Sequence, residues 1–448
     1  MHENNTEMAI RIAREVRRLG GTAYFVGGYV RDRIRKTENK DIDIEVHGLT
    51  PEQLESLLDM LGERMSFGES FGVYSLRGFD IDIAMPRKEE YRGGGHRDFD
   101  IIVDPFIGTY KAALRRDFTM NAIMEDILTG ELVDHFGGIN DIEHGIIRHI
   151  DDTSFAEDSL RVLRAAQFAA RFNYKIAPET VDICKKMQLS DLPKERILEE
   201  LKKAMLKSAR PSVFFERLRE SEQLDTWFPE LKQLIGIPQN PRFHSEGDVW
   251  THSMMVLDAA AAFRDDTDNP FAFMLAAAVH DLGKILCTRE INGAIHAYAH
   301  ETLGLPLIDG FMHRLTNDRA LIKYVMNLSK YHMKPNKLAA DNASVKATNK
   351  MFDASVDPMA LIYLAEADSL GSISTAEKAS AMEFLKGRLA IYHEYMSRPY
   401  VSGRDLISAG LSPSGNFSDY LSYAHKLRLA GVDKDSALKQ TLAYARKN

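Results

Sequence analysis

Strand-type alternation of apolar and polar residues is confined to the first third of the chain, at residues 23–26, 42–46, 73–76, 79–84 and 101–103. Beyond residue 150 apolar side chains recur at three- and four-residue spacing, the period of helices packed on a core. The expected fold class is therefore α+β, with a head on a small mixed sheet followed by helical segments alone. At 448 residues the chain is long enough for two to four domains.

Punctuation in the sequence suggests where they divide. Arg92-Gly93-Gly94-Gly95-His96 reads as a mobile loop within the head. Further breaks fall at Gly236-Ile237-Pro238-Gln239-Asn240-Pro241 and at Met396-Ser397-Arg398-Pro399. The expected division is a head over 1–145, a helical neck over 146–235, a His-rich body over 236–395 and a helical tail over 396–448.

Composition excludes some function classes. The 44% hydrophobic content is ordinary, and no run of about 18 apolar residues is expected to span a bilayer. The first residues are polar and then amphipathic, unlike a signal peptide. Cys184 and Cys287 lie far apart in helical contexts and read as reduced core thiols. A cytoplasmic protein without a membrane partner is expected. The net charge of -8 argues against a protein coated for nucleic acid, so an RNA ligand would need a local basic surface. Candidates for one are Arg164, Arg171, Lys175, Lys185 and Lys186 in the neck. The tail offers Lys426, Arg428, Lys434, Lys439, Arg446 and Lys447. Any one of them alone reads as a solvated helix face.

The head carries the first chemical pattern. Gly27 and Gly28 follow a strand and precede a helix, where backbone without side chains can approach a polyphosphate. Asp41 and Asp43 stand two apart in an alternating segment, which puts both carboxylates on one strand face. Two hard anionic ligands there suit Mg2+ on a nucleoside triphosphate. In Asp80-Ile81-Asp82-Ile83-Ala84, Asp82 is the expected third carboxylate, with Asp80 its rival. Gly-Gly alone is usually a turn, and Asp-x-Asp alone is common. Their order and company make the signal specific.

Three more runs follow: Arg115-Arg116-Asp117-Phe118-Thr119-Met120-Asn121-Ala122, then Asp134-x-x-Gly137-Gly138-x-x-Asp141, then Glu157-Asp158-Ser159-Leu160-Arg161-Val162-Leu163-Arg164. With the aspartates they resemble the nucleotidyltransferase head of the polymerase beta superfamily. The order of motifs closely resembles class II tRNA nucleotidyltransferases, the CCA-adding enzymes, and the related bacterial poly(A) polymerases. Gln167 stands where many relatives carry arginine. The resemblance implies that Asp41, Asp43 and Asp82 are catalytic. Gly27, Gly28 and Arg31 would cradle the triphosphate with Arg115 or Arg116 assisting, and Asp32 would hold Arg31. By helical spacing Asp158 shares a face with Arg161, and Arg161 with Arg164, for which a surface salt-bridge ladder is the simpler reading. The resemblance makes these residues an amino-acid template. Asp158 accepts from the exocyclic amine shared by cytosine and adenine, and Arg161 donates to the neighbouring acceptor.

A second pattern runs through the body: His252, His280-Asp281-Leu282-Gly283-Lys284, His300, His332 and Asp368. A lone histidine of this kind is normally a satisfied core or surface residue. In order, the set resembles an HD-domain metal phosphohydrolase. The resemblance implies one metal on His252, His280, Asp281 and Asp368, and a second on His300 and His332 with Asp281 bridging. His296 is a weaker substitute. Imidazole-rich ligation favours transition metals such as Ni2+, Co2+ or Mn2+. After Asp368 the chain reads Ser-Leu-Gly-Ser, without the arginines common in such bacterial enzymes.

The implied activity is Mg2+-dependent, template-independent addition of CCA to the tRNA 3′ end from CTP and ATP. To it would be joined hydrolysis of phosphoesters such as 2′,3′-cyclic phosphates, by a monomer or homodimer. CC-only relatives tend to lack a flexible loop corresponding to 87–106, so its presence favours complete CCA addition. Alternatives are an A-adding, CC-adding or poly(A)-forming enzyme, or chiefly an HD hydrolase of nucleotides or RNA ends. A degenerate HD fold kept as scaffold is the bland reading of the body.

Overall fold

The computed structural model describes residues 4–66, 72–91, 99–373, 381–413 and 415–447; the Gly-rich stretch 92–96 lies outside them. Packing divides the chain into two compact units, Met1–Leu192 with Arg217–Gln223 and Pro193–Glu216 with Leu224–Asn448. The expected neck over 146–235 thus contributes to both units. Pro- and Gly-rich breaks mark turns, but they do not reveal on which core a helix rests.

The first unit is built on a seven-stranded mixed sheet. Its strands are β1 (Thr22–Phe25), β2 (Ile42–His47), β3 (Arg64–Ser66), β4 (Val73–Leu76), β5 (Ile81–Ala84), β8 (Met124–Asp126) and β9 (Leu132–Val133), in the order β3-β4-β5-β2-β1-β8-β9. β6 (Arg87–Tyr91) and β7 (Phe99–Val103) pair separately as an antiparallel ribbon. The sheet strands read from alternation were the apolar ones. The charged β6 and the short β3, β8 and β9 offer no such pattern. Helix α1 (Asn5–Arg18) starts with a capping box between Asn4 and Glu7 and buries Met8, Ile12 and Val16 on one stripe. α2 (Gly27–Ile34) follows β1 directly, and α3 (Pro51–Leu61) follows β2.

The critical pairing is β2 with β5. They run parallel with Asp43 opposite Asp82 and Ile44 opposite Ile83. Alternation sends Ile42 and Ile44 into the core.

The second unit is almost wholly helical. Pro270–Val279 is buried throughout. The stretch Pro270–Cys287 is long and apolar enough for a membrane span, an exception to the sequence expectation, but 83% of it is buried inside the protein as a core helix is. Cys184 in the first unit and Cys287 in the second are both free thiols and buried.

Candidate active sites

In the head, Asp43 lies on β2 opposite Asp82 on β5, and Asp41 immediately precedes β2. Asp43 feels the charge of both the others. Burial pushes the Asp43 carboxyl up, Arg116 opposes that, and the charges of Asp82 and Asp41 add to the rise. Such crowding of like charge fits a cation. Asp80 lies outside the strand, its N–H donating to Asn5 Oδ1 at 3.2 Å.

Gly27 closes the same corner. Its φ is +64°, and a Cβ there would stand 3.3 Å from Asp43 Oδ2 and 3.6 Å from Arg116 Nη1. The Val26 N–H donates to the Asp43 carbonyl at 3.0 Å, so the turn into α2 is fastened to the strand bearing the carboxylates.

Glu45, missed by sequence reasoning, follows Asp43 on the same face. It accepts from Arg116 Nη2 at 2.9 Å and lies 2.9 Å from His47 Nε2. Burial raises its carboxyl, but His47 and Arg116 outweigh that and hold it below its ordinary range. Glu45, Arg115 and Arg116 line a cavity of about 190 Å³ with Val73, Pro86 and Ala112.

Arg31 differs from the expected phosphate ligand. It is buried, with Nε and Nη2 donating to Asp32 at 2.8 and 2.9 Å and Nη1 donating to Asn121 at 2.8 Å. Its guanidinium also lies over Phe172, 4.7 Å from the ring centroid. Asn121 in turn donates to Asp117, which accepts from Arg164 Nε at 2.7 Å. Arg31 and Arg164 are thus tied through Asp32, Asn121 and Asp117 into one buried polar chain. The Asp117 carboxyl, raised by burial, is brought below its usual range chiefly by Arg164 and Asn121.

Along 157–164 the structure shows long-range contacts. Arg161 donates to the main-chain carbonyls of Ser154 at 2.6 Å and Arg115 at 2.9 Å. Asp158 accepts from the Leu160 N–H at 3.0 Å, at the start of the helix Leu160–Phe172. Gly138 explains the Asp134-to-Asp141 run: a Cβ there would meet the Thr119 carbonyl oxygen at 2.2 Å. Of the candidate basic strip, Arg428 donates to the carbonyls of Tyr395, Met396 and Arg398, and Lys434 pairs with Asp405.

In the body all six predicted ligands converge. His252 comes from the helix Val249–Ala260, and His280 and Asp281 follow the helix Pro270–Val279. His300 starts a short helix, His332 ends Arg319–Tyr331, and Asp368 lies on Pro358–Leu370. Asp281 stands between two groups. Its Oδ2 faces His280 Nε2 at 3.3 Å and His252 Nε2 at 3.5 Å; its Oδ1 faces His300 Nε2 at 3.2 Å and His332 Nε2 at 3.8 Å. Asp368 completes the first group, 3.0 Å from His252 Nε2. His280 and Asp281, adjacent in sequence, converge on one point.

Two glycines permit this approach. A Cβ on Gly283 would meet the His300 carbonyl oxygen at 1.9 Å, and one on Gly371 would meet the Val256 nitrogen at 2.6 Å. The first lets His300 close on Asp281, and the second lets the helix of Asp368 cross that of His252.

Every one of the four histidines is oriented through Nδ1. His280, His300 and His332 place it against the carbonyls of Ala277, Ala297 and Ser329, at 2.9, 2.8 and 2.7 Å. His252 places it 3.0 Å from Glu246, a carboxylate that sequence reasoning missed and that also contacts His244 at 2.8 Å. Nothing in its spacing distinguishes Glu246 from a surface acid. This arrangement turns each Nε2 toward the centre, as metal-binding imidazoles require.

The centre fits a cation by its unsatisfied atoms. Lys284 Nζ lies 2.7 Å from Asp281 Oδ2, yet that oxygen, His252 Nε2 and His280 Nε2 form no properly angled hydrogen bond. Groups able to hold a metal ion occur at His252, His280 and Asp368 and at His280, Asp281 and His332. Burial with the charges of His280 and His300 pushes His332 down to about 3, keeping its imidazole neutral. Burial pulls His252 down too, but the Asp368 carboxylate 3.0 Å from its Nε2 and Glu246 at its Nδ1 carry it up to about 9. His296 lines the cavity above the centre rather than joining it.

Three stretches of the chain match known families. Residues 23–148 match the Poly A polymerase head domain, 173–235 the probable RNA and SrmB-binding site of polymerase A, and 249–372 the HD domain. The fold resembles that of the Thermotoga maritima CCA-adding enzyme complexed with tRNA, with a TM-score of 0.65 at 20% identity over 98% of this chain and 95% of that one. The multifunctional CCA protein of Stenotrophomonas maltophilia is 40% identical over 60% of this chain and 65% of its own length. That of Actinobacillus pleuropneumoniae is 36% identical over 70% of this chain and 76% of its own length. The chain belongs to the family of multifunctional CCA proteins.

Proposed function

We propose that this protein adds CCA to the 3′ end of tRNA from CTP and ATP at its head, and hydrolyses phosphoesters at its histidine centre. The observation that carries the first half is Asp43 in register with Asp82, beneath a turn whose Gly27 has φ +64°. In this reading 1–145 is the head, 146–235 the neck, 236–395 the body and 396–448 the tail.

Asp41 and Asp43 would hold Mg2+. When bound it neutralises triphosphate charge and orients the α-phosphate for in-line displacement. Asp82 would take the proton of the primer 3′-hydroxyl as its oxygen bonds to the α-phosphorus and the bond to the leaving pyrophosphate breaks. Gly27 and Gly28 let backbone approach the phosphates, and α2 points its N-terminal N–H groups the same way. Arg116 supplies positive charge at the carboxylate face, while Arg31 acts one step back by holding α2 against the helix Leu160–Phe172. Asp158 and Arg161 read the nucleobase. Arg161 spends two N–H groups on carbonyls and retains three for that purpose.

In the body, His252, His280, Asp281 and Asp368 would hold one divalent transition metal, and His300 and His332 with Asp281 a second. Metal at such a centre supplies a nucleophilic hydroxide near neutral pH. Lys284, buried beside Asp281, offsets charge at the cavity floor, and the Nδ1 contacts hold the imidazoles in place.

The test is product sequencing after incubating tRNA lacking its terminal CCA with CTP alone, ATP alone and both. The expected products are CC from CTP alone and CCA from both. Long adenylate tracts from ATP alone would instead mark a poly(A) polymerase.

A further inference from the structure

Four guanidinium groups surround one stack of two aromatic rings on the helix Leu160–Phe172. Phe168 and Phe172 lie with centroids 5.5 Å apart and planes 13° from parallel. Arg31 lies over both rings, Arg164 over Phe168, and Arg35 and Arg171 over Phe172 at 3.8 and 5.1 Å from its centroid. Carboxylates are fewer. Asp117 takes Arg164, and Asp32 takes Arg31. Asp32 also has Arg35 3.6 Å from its Oδ1 and Asn39 donating to its Oδ2 at 2.9 Å. Arg171 is left over: among the described residues it has no hydrogen bond or ion pair.

Such a group strains the fold. Arg171 is half-buried. Burial and the charge of Arg31 push its guanidinium below the ordinary value, Arg35 adds to that, and the Asp32 and Asp41 carboxylates oppose it. Arginine stays charged at neutral pH, so the repulsion persists in the folded protein. One turn earlier on the same helix stripe, Gln167 is 1% exposed and its Nε2 has no acceptor among the described residues. The stripe is rich in donors and short of acceptors, a balance that a phosphate group would correct.

The turn into α2 has two sides. A Cβ on Gly27 would meet Asp43 and Arg116, whereas one on Gly28 would meet Arg31 and Asn39. Asn39 Oδ1 also accepts from the Asp41 N–H at 3.0 Å, which ties the approach to β2 to the Arg31 side. A triphosphate with its α-phosphorus by Asp43 and Asp82 has its terminal phosphates free to extend past Gly28 toward that second side.

We propose that Arg171 binds the terminal phosphates of the incoming nucleotide and holds pyrophosphate as it leaves. The proposal rests on the reading of the head as a nucleotidyltransferase and adds to it a residue for the leaving group. As the 3′-oxygen bonds to the α-phosphorus, the bond from that phosphorus to the bridging oxygen breaks, and its electron pair departs on pyrophosphate. Arg171 meets the charge gathered there. Its missing carboxylate is what leaves it available, since Arg31 is committed to Asp32 and Asn121.

The experiment uses the full chain with Mg2+, as wild type, Arg171→Gln and Arg171→Lys. It measures calorimetric binding of inorganic pyrophosphate, KM for CTP, KM for tRNA lacking CCA, and the ligand-free melting temperature. Arg171→Gln should weaken pyrophosphate binding and raise KM for CTP about 10-fold each, the lower end for a charge-assisted hydrogen bond, at unchanged KM for tRNA. Arg171→Lys, which keeps the charge, should regain part of both. Because the removed charge faces Arg31 and Arg35, Arg171→Gln should melt no earlier than wild type. A lower melting temperature marks a packing residue, and a raised KM for tRNA alone marks an RNA backbone contact; either overturns the proposal, as does unchanged pyrophosphate binding. If wild type adds no CMP, the nucleotidyltransferase reading fails by itself. Pyrophosphate binding then decides: weakened by Arg171→Gln it supports the proposal, and unaffected by it, or absent in wild type, it overturns it.

Discussion

Gly27 and Gly28 are neighbours with opposite structural demands, and replacing each by alanine separates fold from catalysis. Gly27 has φ +64°, so an alanine there pays a left-handed penalty of about 1–2 kcal/mol. Its Cβ also stands 3.3 Å from Asp43 Oδ2, tighter than ordinary contact. For a unit of about 200 residues this lowers the melting temperature by about 2–8 °C. Gly28 has no such backbone demand. Its Cβ would meet Arg31 Nη2 at 3.5 Å and Asn39 Nδ2 at 3.6 Å, both ordinary contacts. Alanine there should leave stability unchanged or raise it by up to about 1 kcal/mol, by restricting the unfolded chain. Both methyl groups nevertheless intrude where the triphosphate would approach the backbone, and misplacement by about 1 Å can cost roughly 100-fold in rate. Thermal melts followed by circular dichroism, with labelled CMP incorporation into truncated tRNA, check both halves. A Gly28→Ala protein that melts as early as Gly27→Ala refutes the backbone argument. One that incorporates CMP at the wild-type rate refutes the cradle.

Asp41→Ala or Asp43→Ala should abolish CMP addition while sparing hydrolysis by the body; incorporation by the double variant, measured with labelled CTP, would sink the assignment. Asp158→Ala should slow CTP and ATP use by the equivalent of about 1.5–3 kcal/mol and let UTP and GTP compete, judged by relative kcat/KM across four nucleotides. Glu246→Ala frees His252 Nδ1 and should weaken metal retention by the body about 10- to 100-fold, read by calorimetric titration of Mn2+ or Ni2+. Asp117 gives an acid-stability prediction. Its folded carboxyl is held below the ordinary range, so the stability it contributes is present above that range and lost as pH falls through the folded value. Asp117→Asn should therefore be less stable than wild type at neutral pH, with the gap in melting temperature closing below about pH 4.

How much of this was legible depended on whether a role is set by local period or by distant packing. Asp43 and Asp82 were readable because strand alternation fixes the face of each, although their register is a property of the sheet. Glu45 had the same period but gave no separate sign, because its role depends on Arg116, far along the chain. The arginines were half legible for a related reason. Arg31, Arg161 and Arg164 lie in motifs that suggest ligand contact, and spacing cannot show that Asp32, Asn121, Asp117 and two main-chain carbonyls also take some of their donors. In the body the order of histidines disclosed the ligand set. Gly283 and Gly371, which let the backbones close to contact distance, look like ordinary helix-end glycines until the helices are packed.

The two centres handle charge in opposite ways, and the difference follows from their scaffolds. At the head, acidic side chains crowd one face of a sheet, and nearby arginines are largely drawn into holding the fold together. Under the proposed reading, triphosphate charge must then be met by metal, by the α2 backbone and by Arg116, not by an arginine clamp. Arg116 is well placed for this, since Glu45 fixes Nη2 while Nη1 lies beside Gly27. Removing Glu45 would release Arg116 without touching Asp41 or Asp43. In the body, imidazoles from separate helices share a single central carboxylate, and each ring is fixed by an acceptor on its far side. Under the proposed reading the head would exchange its metal with each nucleotide, whereas the body would keep its own. Metal analysis of purified protein after dialysis should find transition metal retained in the body, with Mg2+ required afresh for every assay of CMP addition.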